Sequence, residues 1–451
     1  MDSRKLLSTI LLASALTVAA GAQTKKGAGA QPEKVTSERG AAFDQKRFDE
    51  LRSAGFDALY NLDYEGARRR FTEMTRDFPD HPAGYQFIAV GLWLKTLNES
   101  RRLQASLYNN EGFYKEKDDQ ADPKLSAEFR ELTRKAKELS EARLKRNPKD
   151  EDALYYLGGV EGLKAAWGSM VERSFMSALR NGSDAVDHHR ELLKLDPGYT
   201  DAKVTVGMYE YVVGTLPPLV KLGATFIGVR GSRKRGLAEM EQVAREGKWS
   251  RDDAKSLLIA LLKREGRFRD AYTYADELAS KYPRNYLFKM EAADALVSQA
   301  EVDRATNPDA AKKTEAEAFA VFESLLASAA SAAAPNTPRP PLDLVHYDYG
   351  NALLVAGQAE RAAKELLAAA ALPGAESSLV TRTRLRAAQA LDVAGHREEA
   401  ITQYKAVLAR ANVFDSHEDA RRGLKEPYKL TRKSAENAGG DGEDAKAEKT
   451  N

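Results

Sequence analysis

One spacing recurs along this chain and constrains its fold more than any other feature. A small residue is followed twelve positions later by Ala. A bulky apolar residue comes four later, another apolar residue three after that, and Pro five further on: Gly55, Ala67, Phe71, Met74, Pro79. A second copy reads Ile259, Leu262, Ala271, Ala275, Leu278, Pro283. Two more lack the Pro: Gly350, Leu353, Ala362, Leu366, Ala369, and Ala388, Leu391, Ala400, Tyr404, Val407. Apolar residues three and four apart form one stripe of an α-helix. Two antiparallel helices approach closely only where their facing residues are small. Pro cannot continue a helix, so it ends the second one and turns the chain into the next unit. The spacing therefore describes a helical hairpin, repeated.

The rest of the interior agrees. Between Phe43 and Leu430 no period-two strand run stands out, and the good helix formers Ala, Leu, Glu, Lys and Arg dominate. The repeating unit resembles the tetratricopeptide repeat family, whose unit is a 34-residue helix–turn–helix. The resemblance implies an all-α, right-handed α-solenoid of antiparallel helix pairs. Asn147-Pro148 and Asp196-Pro197-Gly198 close further second helices, which places Ala136 and Ala185 at their crossings against Gly91 and Gly158. Those gaps are 45 and 27 residues instead of 12, and Gly207 to Ala238 is a third, of 31. A fourth runs from Glu291 or Ala292 to Ala318. About eight pairs over 43–430 are expected, several with extended or inserted helices, and insertions near 95–125, 162–182, 212–235 and 300–315.

The ends read differently. Arg4 and Lys5 precede an uncharged run from Leu6 to Val18, and Ala20-Gly21-Ala22 is a small-x-small cleavage pattern. Residues 1–22 are therefore expected to be a secretory signal peptide. A membrane anchor needs about 20 apolar residues, more than this run supplies. The mature chain would begin near Gln23 and be exported, to the periplasm or beyond. Residues 23–42 and 431–451 lack an apolar period and are expected to be a flexible linker and a disordered tail.

Composition removes several functions. The chain has no Cys, which excludes disulfides, thiolate-held zinc, iron–sulfur clusters and thiol catalysis. A formal net charge of +2 on 451 residues does not describe a polyanion binder, and no nucleic-acid partner is expected. No P-loop, nucleophile elbow, dinucleotide fingerprint or metalloprotease motif occurs. Asp184, His188 and Glu191 share a helical face at metal-ligand spacing, but no third or fourth strong ligand accompanies them. His189 falls where the repeat calls for a packing residue, and His81 and His396 fall in turns. No cofactor, metal or catalytic residue is assigned.

Two surfaces remain as candidates. Aromatic residues gather on first helices, and those facing the concave side of a solenoid would anchor a protein or peptide partner. Tyr85, Trp93, Tyr156, Trp167, Tyr209 and Tyr211 are the candidate anchors. The other surface is the apolar, Gly- and Pro-rich stretch from Gly214 into the basic cluster Arg230, Arg233, Lys234 and Arg235, suited to lipid or an anionic polymer. Following the family resemblance, the expected function is a non-catalytic scaffold or adaptor holding a protein or peptide of the cell envelope. The alternative is an envelope carrier or tether acting through residues 214–235.

Overall fold

The structure is a computed structural model. It describes residues 43–104, 121–215, 231–330 and 338–430. The expected signal peptide, linker and tail lie outside these residues, as do Arg230 and most of the 214–235 stretch. Among the described residues there are 17 α-helices and no strand. In chain order they are α1 (Gln45–Tyr60), α2 (Tyr64–Asp77), α3 (Ala83–Glu99), α4 (Pro123–Arg146), α5 (Glu151–Met170), α6 (Phe175–Leu195), α7 (Lys203–Gly214), α8 (Arg233–Glu246) and α9 (Arg251–Arg264). They continue with α10 (Phe268–Lys281), α11 (Tyr286–Asp303), α12 (Pro308–Ala330), α13 (Leu342–Val355), α14 (Ala359–Ala371), α15 (Ser377–Ala394), α16 (Arg397–Leu408) and α17 (Ser416–Lys425).

Local chemistry sets the helix ends. Asp63 accepts from the Gly66 amide at 2.8 Å, Asp150 from Ala153 at 3.0 Å and Asn285 from Leu287 at 3.0 Å. Each side chain thereby satisfies one amide that the first helical turn leaves unpaired.

Six of the expected helix pairs pack as hairpins, whereas Gly91 faces Leu59 of α1, its nearest neighbour at 3.9 Å from an added methyl, rather than Ala136. α1 packs on α2, α5 on α6, α7 on α8, α11 on α12, α13 on α14 and α15 on α16. Ala67, Ala136, Ala185, Ala271, Ala318, Ala362 and Ala400 are all fully buried. A methyl group on Gly55 would lie 2.2 Å from Phe71 Cε1, and one on Gly350 would lie 2.5 Å from Leu366 Cγ. Contacts that close are forbidden, so only glycine allows the bulky residue of the second helix to seat over the first. At Gly158 the seated residue is His189, whose Cδ2 would meet an added methyl at 2.3 Å. The α7–α8 pair departs from the expected register by two residues. Its crossing residue is the buried Gly236, where an added methyl would meet the Gly207 carbonyl at 2.4 Å, with Met240 four positions on. Ala238 faces out. Each unit is all-α and built from antiparallel helix pairs.

Long gaps are taken up partly by longer helices. The extra residues between Gly158 and Ala185 extend α5 to 20 residues and α6 to 21, joined by a short turn at 171–174. Those between Glu291 and Ala318 lengthen α11 and α12 to 18 and 23 residues. The described residues fall into two compact units: 43–96 with 121–254, and 97–104 with 255–430.

Candidate functional site

Four of the six proposed partner anchors belong to the core. Trp93, Tyr156, Trp167 and Tyr211 are each at most 1% exposed. Trp167 stacks on Phe129 of α4, with ring centroids 4.1 Å apart at 12°. Tyr156 meets His81 edge-on at 5.0 Å and Phe87 at 6.1 Å. The reason is geometric: a first helix has neighbours on both sides, so most of its large side chains fall into the seams between hairpins. Tyr85 and Tyr209 are half-buried, and Arg190 lies over the Tyr209 ring, 5.0 Å from its centroid.

Of the basic cluster, Arg233, Lys234 and Arg235 open α8. Arg235 is already committed, donating to Glu210 at 2.9 Å. That bond and the Glu210 charge hold its pKa above the usual arginine value. Lys234 is exposed. Among the described residues no helix is long and apolar enough to cross a membrane, and no three His, Asp or Glu side chains converge on a metal position.

The first unit has an open cleft of about 1080 Å³ where hairpin turns meet. One side comes from 43–48 and the α2–α3 turn at 77–81, the other from the end of α4 and the α4–α5 turn at 143–152, with Tyr199 below. Its floor is aromatic. Phe43 lies 5.3 Å from Phe48, 5.0 Å from Phe78 and 5.7 Å from His81, centroid to centroid, yet remains 51% exposed.

Beneath the floor a polar network stitches the turns together. The Ala83 amide donates to His81 Nδ1 at 3.2 Å, so the neutral ring carries its proton on Nε2 and donates it to Asp152 Oδ2 at 2.9 Å. Arg143 reaches Asp152 at 2.7 Å and Asp150 at 3.0 Å. Burial pushes the Asp152 carboxyl up, but the hydrogen bond from His81 and the charge and hydrogen bond of Arg143 outweigh it and hold the carboxyl below its ordinary value. The rim carries both signs. Arg47 is paired with Asp77 and Glu73, whereas Arg146, Lys149 and Asp80 are exposed. An aromatic floor inside a two-signed rim suits a peptide that offers an apolar side chain between charges.

A second polar site lies within the same unit, where residues of α1, α5 and the start of α9 converge. Arg52 of α1 is 1% exposed, and its guanidinium sits 3.8 Å above the Trp249 ring, with Phe56 and Phe87 each at 5.7 Å. Tyr60 donates to Asp253, the Tyr155 and Ser250 hydroxyls share a hydrogen bond of 3.0 Å, and Asp201 accepts from the Trp249 and Ser250 amides at 3.0 and 2.7 Å. Burial lowers the Arg52 pKa and pushes the Asp253 carboxyl up to about 8. His189 is driven down to about 4 by burial, and its Nε2 bonds the Tyr155 carbonyl at 3.0 Å. It is a neutral packing residue.

In the second unit, Lys263 is buried between Glu291 and Asp294. Asp348 accepts from Gln104 at 2.7 Å, its carboxyl pushed up to about 8 by burial and by the charges of Asp294 and Glu291. Neither the cleft nor the Arg52–Trp249 site is legible in the sequence. Their parts are far apart in the chain, and only the turn signals at Asp80-His81-Pro82 and Asn147-Pro148 marked one of them.

The chain matches no protein-family model and no curated protein. Among solved structures it is similar to human IFIT1, solved as a dimer with PPP-AAAA. The identity is 13% over 94% of this chain and 85% of that one, with a TM-score of 0.44. Yeast Tom70 aligns at 12% identity over 85% of this chain and 89% of its own, with a TM-score of 0.34. A tetratricopeptide repeat protein from Parabacteroides merdae aligns at 14% identity over 76% and 99%, with a TM-score of 0.29.

Proposed function

We propose that this chain is a non-catalytic helical-repeat scaffold that holds a protein partner through a peptide segment seated in the turn-edge cleft. The observation that carries this reading is the partly exposed Phe43 on an aromatic floor, within a rim where Arg146 and Lys149 stand opposite Asp80. Such a surface grips an apolar side chain and orients its charged neighbours. The leader-like residues 1–22 support placing the work in the cell envelope, with the mature chain starting near Gln23. N-terminal sequencing of the protein recovered from cells tests that placement.

The binding test is affinity capture from envelope extract with wild-type protein and with Arg146→Glu/Lys149→Glu. Both side chains are exposed, so the double variant should keep the wild-type melting temperature. Loss of one specific protein from the variant's eluate supports the scaffold. An unchanged eluate, or a captured species removed by ribonuclease, contradicts it.

A further inference from the structure

The turn-edge cleft is where the described chain begins. Phe43, the first described residue, lies on the cleft floor, 5.0 Å from Phe78 and 5.3 Å from Phe48, yet is 51% exposed. The residues that precede it therefore leave from inside the cleft. Six carboxylates and four cationic side chains line this surface. Arg47 is paired with Asp77, and Arg143 with Asp150 and Asp152. Arg146, Lys149 and Asp80 stand exposed on the rim. A ligand matched to this surface offers one apolar side chain, a cation for Asp80 and an anion for Arg146 and Lys149. The sequence just before Phe43 reads Glu33-Lys34-Val35-Thr36-Ser37-Glu38-Arg39-Gly40. Val35 is the one branched or aromatic apolar residue in 23–42, with Lys34 beside it and Glu38 shortly after. The chain from Val35 to Phe43 can span about 26 Å when extended, and Gly40 permits it to reverse.

We propose that residues 33–39 of this chain are the resident occupant of the cleft: Val35 seats against Phe43 and Phe78, Lys34 faces Asp80, and Glu38 faces Arg146 and Lys149. The inference rests on the cleft being a peptide site, as proposed above, and adds how that site is regulated. Covalent attachment makes a weak contact sufficient, because a short tether holds its ligand at an effective concentration on the order of mM. A partner segment must displace the resident one, so its apparent affinity falls by the fraction of time the cleft is empty. The segments that compete best carry an apolar side chain between a cation and an anion, as residues 34–38 do.

The test places a benzophenone side chain at position 35 of the full chain and maps the adducts formed on irradiation. An adduct within the same molecule, to residues 43–48, 77–81 or 143–152, in a yield unchanged by dilution, supports the proposal. Adducts only elsewhere on the chain, or only between two molecules, overturn it. A second arm uses a fluorescein-labelled peptide with the sequence of residues 31–41, read by fluorescence polarisation. Val35→Asp in the full chain frees the cleft and should bind this probe at least about threefold more tightly than wild type. Adding Arg146→Glu/Lys149→Glu should abolish the gain. Position 35 precedes α1, and Arg146 and Lys149 are exposed, so each variant should keep the wild-type circular dichroism. Equal binding by wild type and Val35→Asp, or a gain that survives Arg146→Glu/Lys149→Glu, overturns the proposal. The capture experiment above separates the two readings. A captured partner without an intramolecular adduct from position 35 overturns this proposal alone, and an adduct without a captured partner overturns the scaffold alone.

Discussion

Gly55 shows how much of the fold one position can hold. Phe71 sits over it, fully buried and wedged between Phe56 at 5.3 Å and Phe87 at 5.2 Å, so the ring has nowhere to retreat. Gly55→Ala should therefore cost about 1–3 kcal/mol and lower the melting temperature by several degrees. An unchanged melting curve would mean that the hairpins are not held by close contact. This residue-level logic was legible in the sequence, since the small residue and its bulky partner keep a fixed spacing. It also assigned His189 as a packing residue. Arg52 and Trp249 were not legible, because no local pattern links residues nearly two hundred positions apart. Asp253 belongs to that hidden set, and its titration can be measured. Burial and the charges of Asp252 and Asp201 raise its carboxyl to about 8, against the Tyr60 hydrogen bond and the Arg52 charge. The folded state thus favours the protonated acid. Its contribution is complete below the ordinary carboxylate value and is lost as pH rises through about 8. Asp253→Asn should flatten the fall in melting temperature between about pH 5 and about pH 9. A variant with the wild-type pH profile would show that Asp253 is solvated.

At the scale of helices, the twelve-residue spacing located the hairpins, and the longer gaps marked where helices lengthen. Spacing alone could not say which face of a lengthened helix turns inward. A first helix is packed on both sides, which is why Trp93, Tyr156, Trp167 and Tyr211 are core residues. After the last hairpin, α17 repeats the close approach: a methyl on Gly423 would lie 2.2 Å from Tyr404 Cζ. Asp392 ties this end together. Its fully buried carboxylate accepts from Arg397 and Tyr404, each at 2.8 Å, and from the Tyr428 amide at 2.8 Å. Asp392→Ala strands three donors and should cost at least about 2 kcal/mol. Hydrogen exchange should then accelerate across residues 397–428 and stay unchanged in 43–96. Uniform acceleration everywhere would contradict a local tie.

At the scale of the whole molecule, the proposed scaffold presents a cleft of turn residues to a protein partner. The sequence placed those residues in turns. It could not show that the start of α1 and the α2–α3 turn share one aromatic floor beside the α4–α5 turn, because that depends on how successive hairpins align. The most direct measurement is photo-crosslinking in envelope extract, with a benzophenone side chain at Phe43 and, as a control, at Met176, which is 74% exposed on α6. One dominant protein adduct is expected from position 43, absent from position 176 and competed away by unlabelled protein. Identical adduct patterns from both positions, or an adduct consisting of nucleic acid, would contradict it.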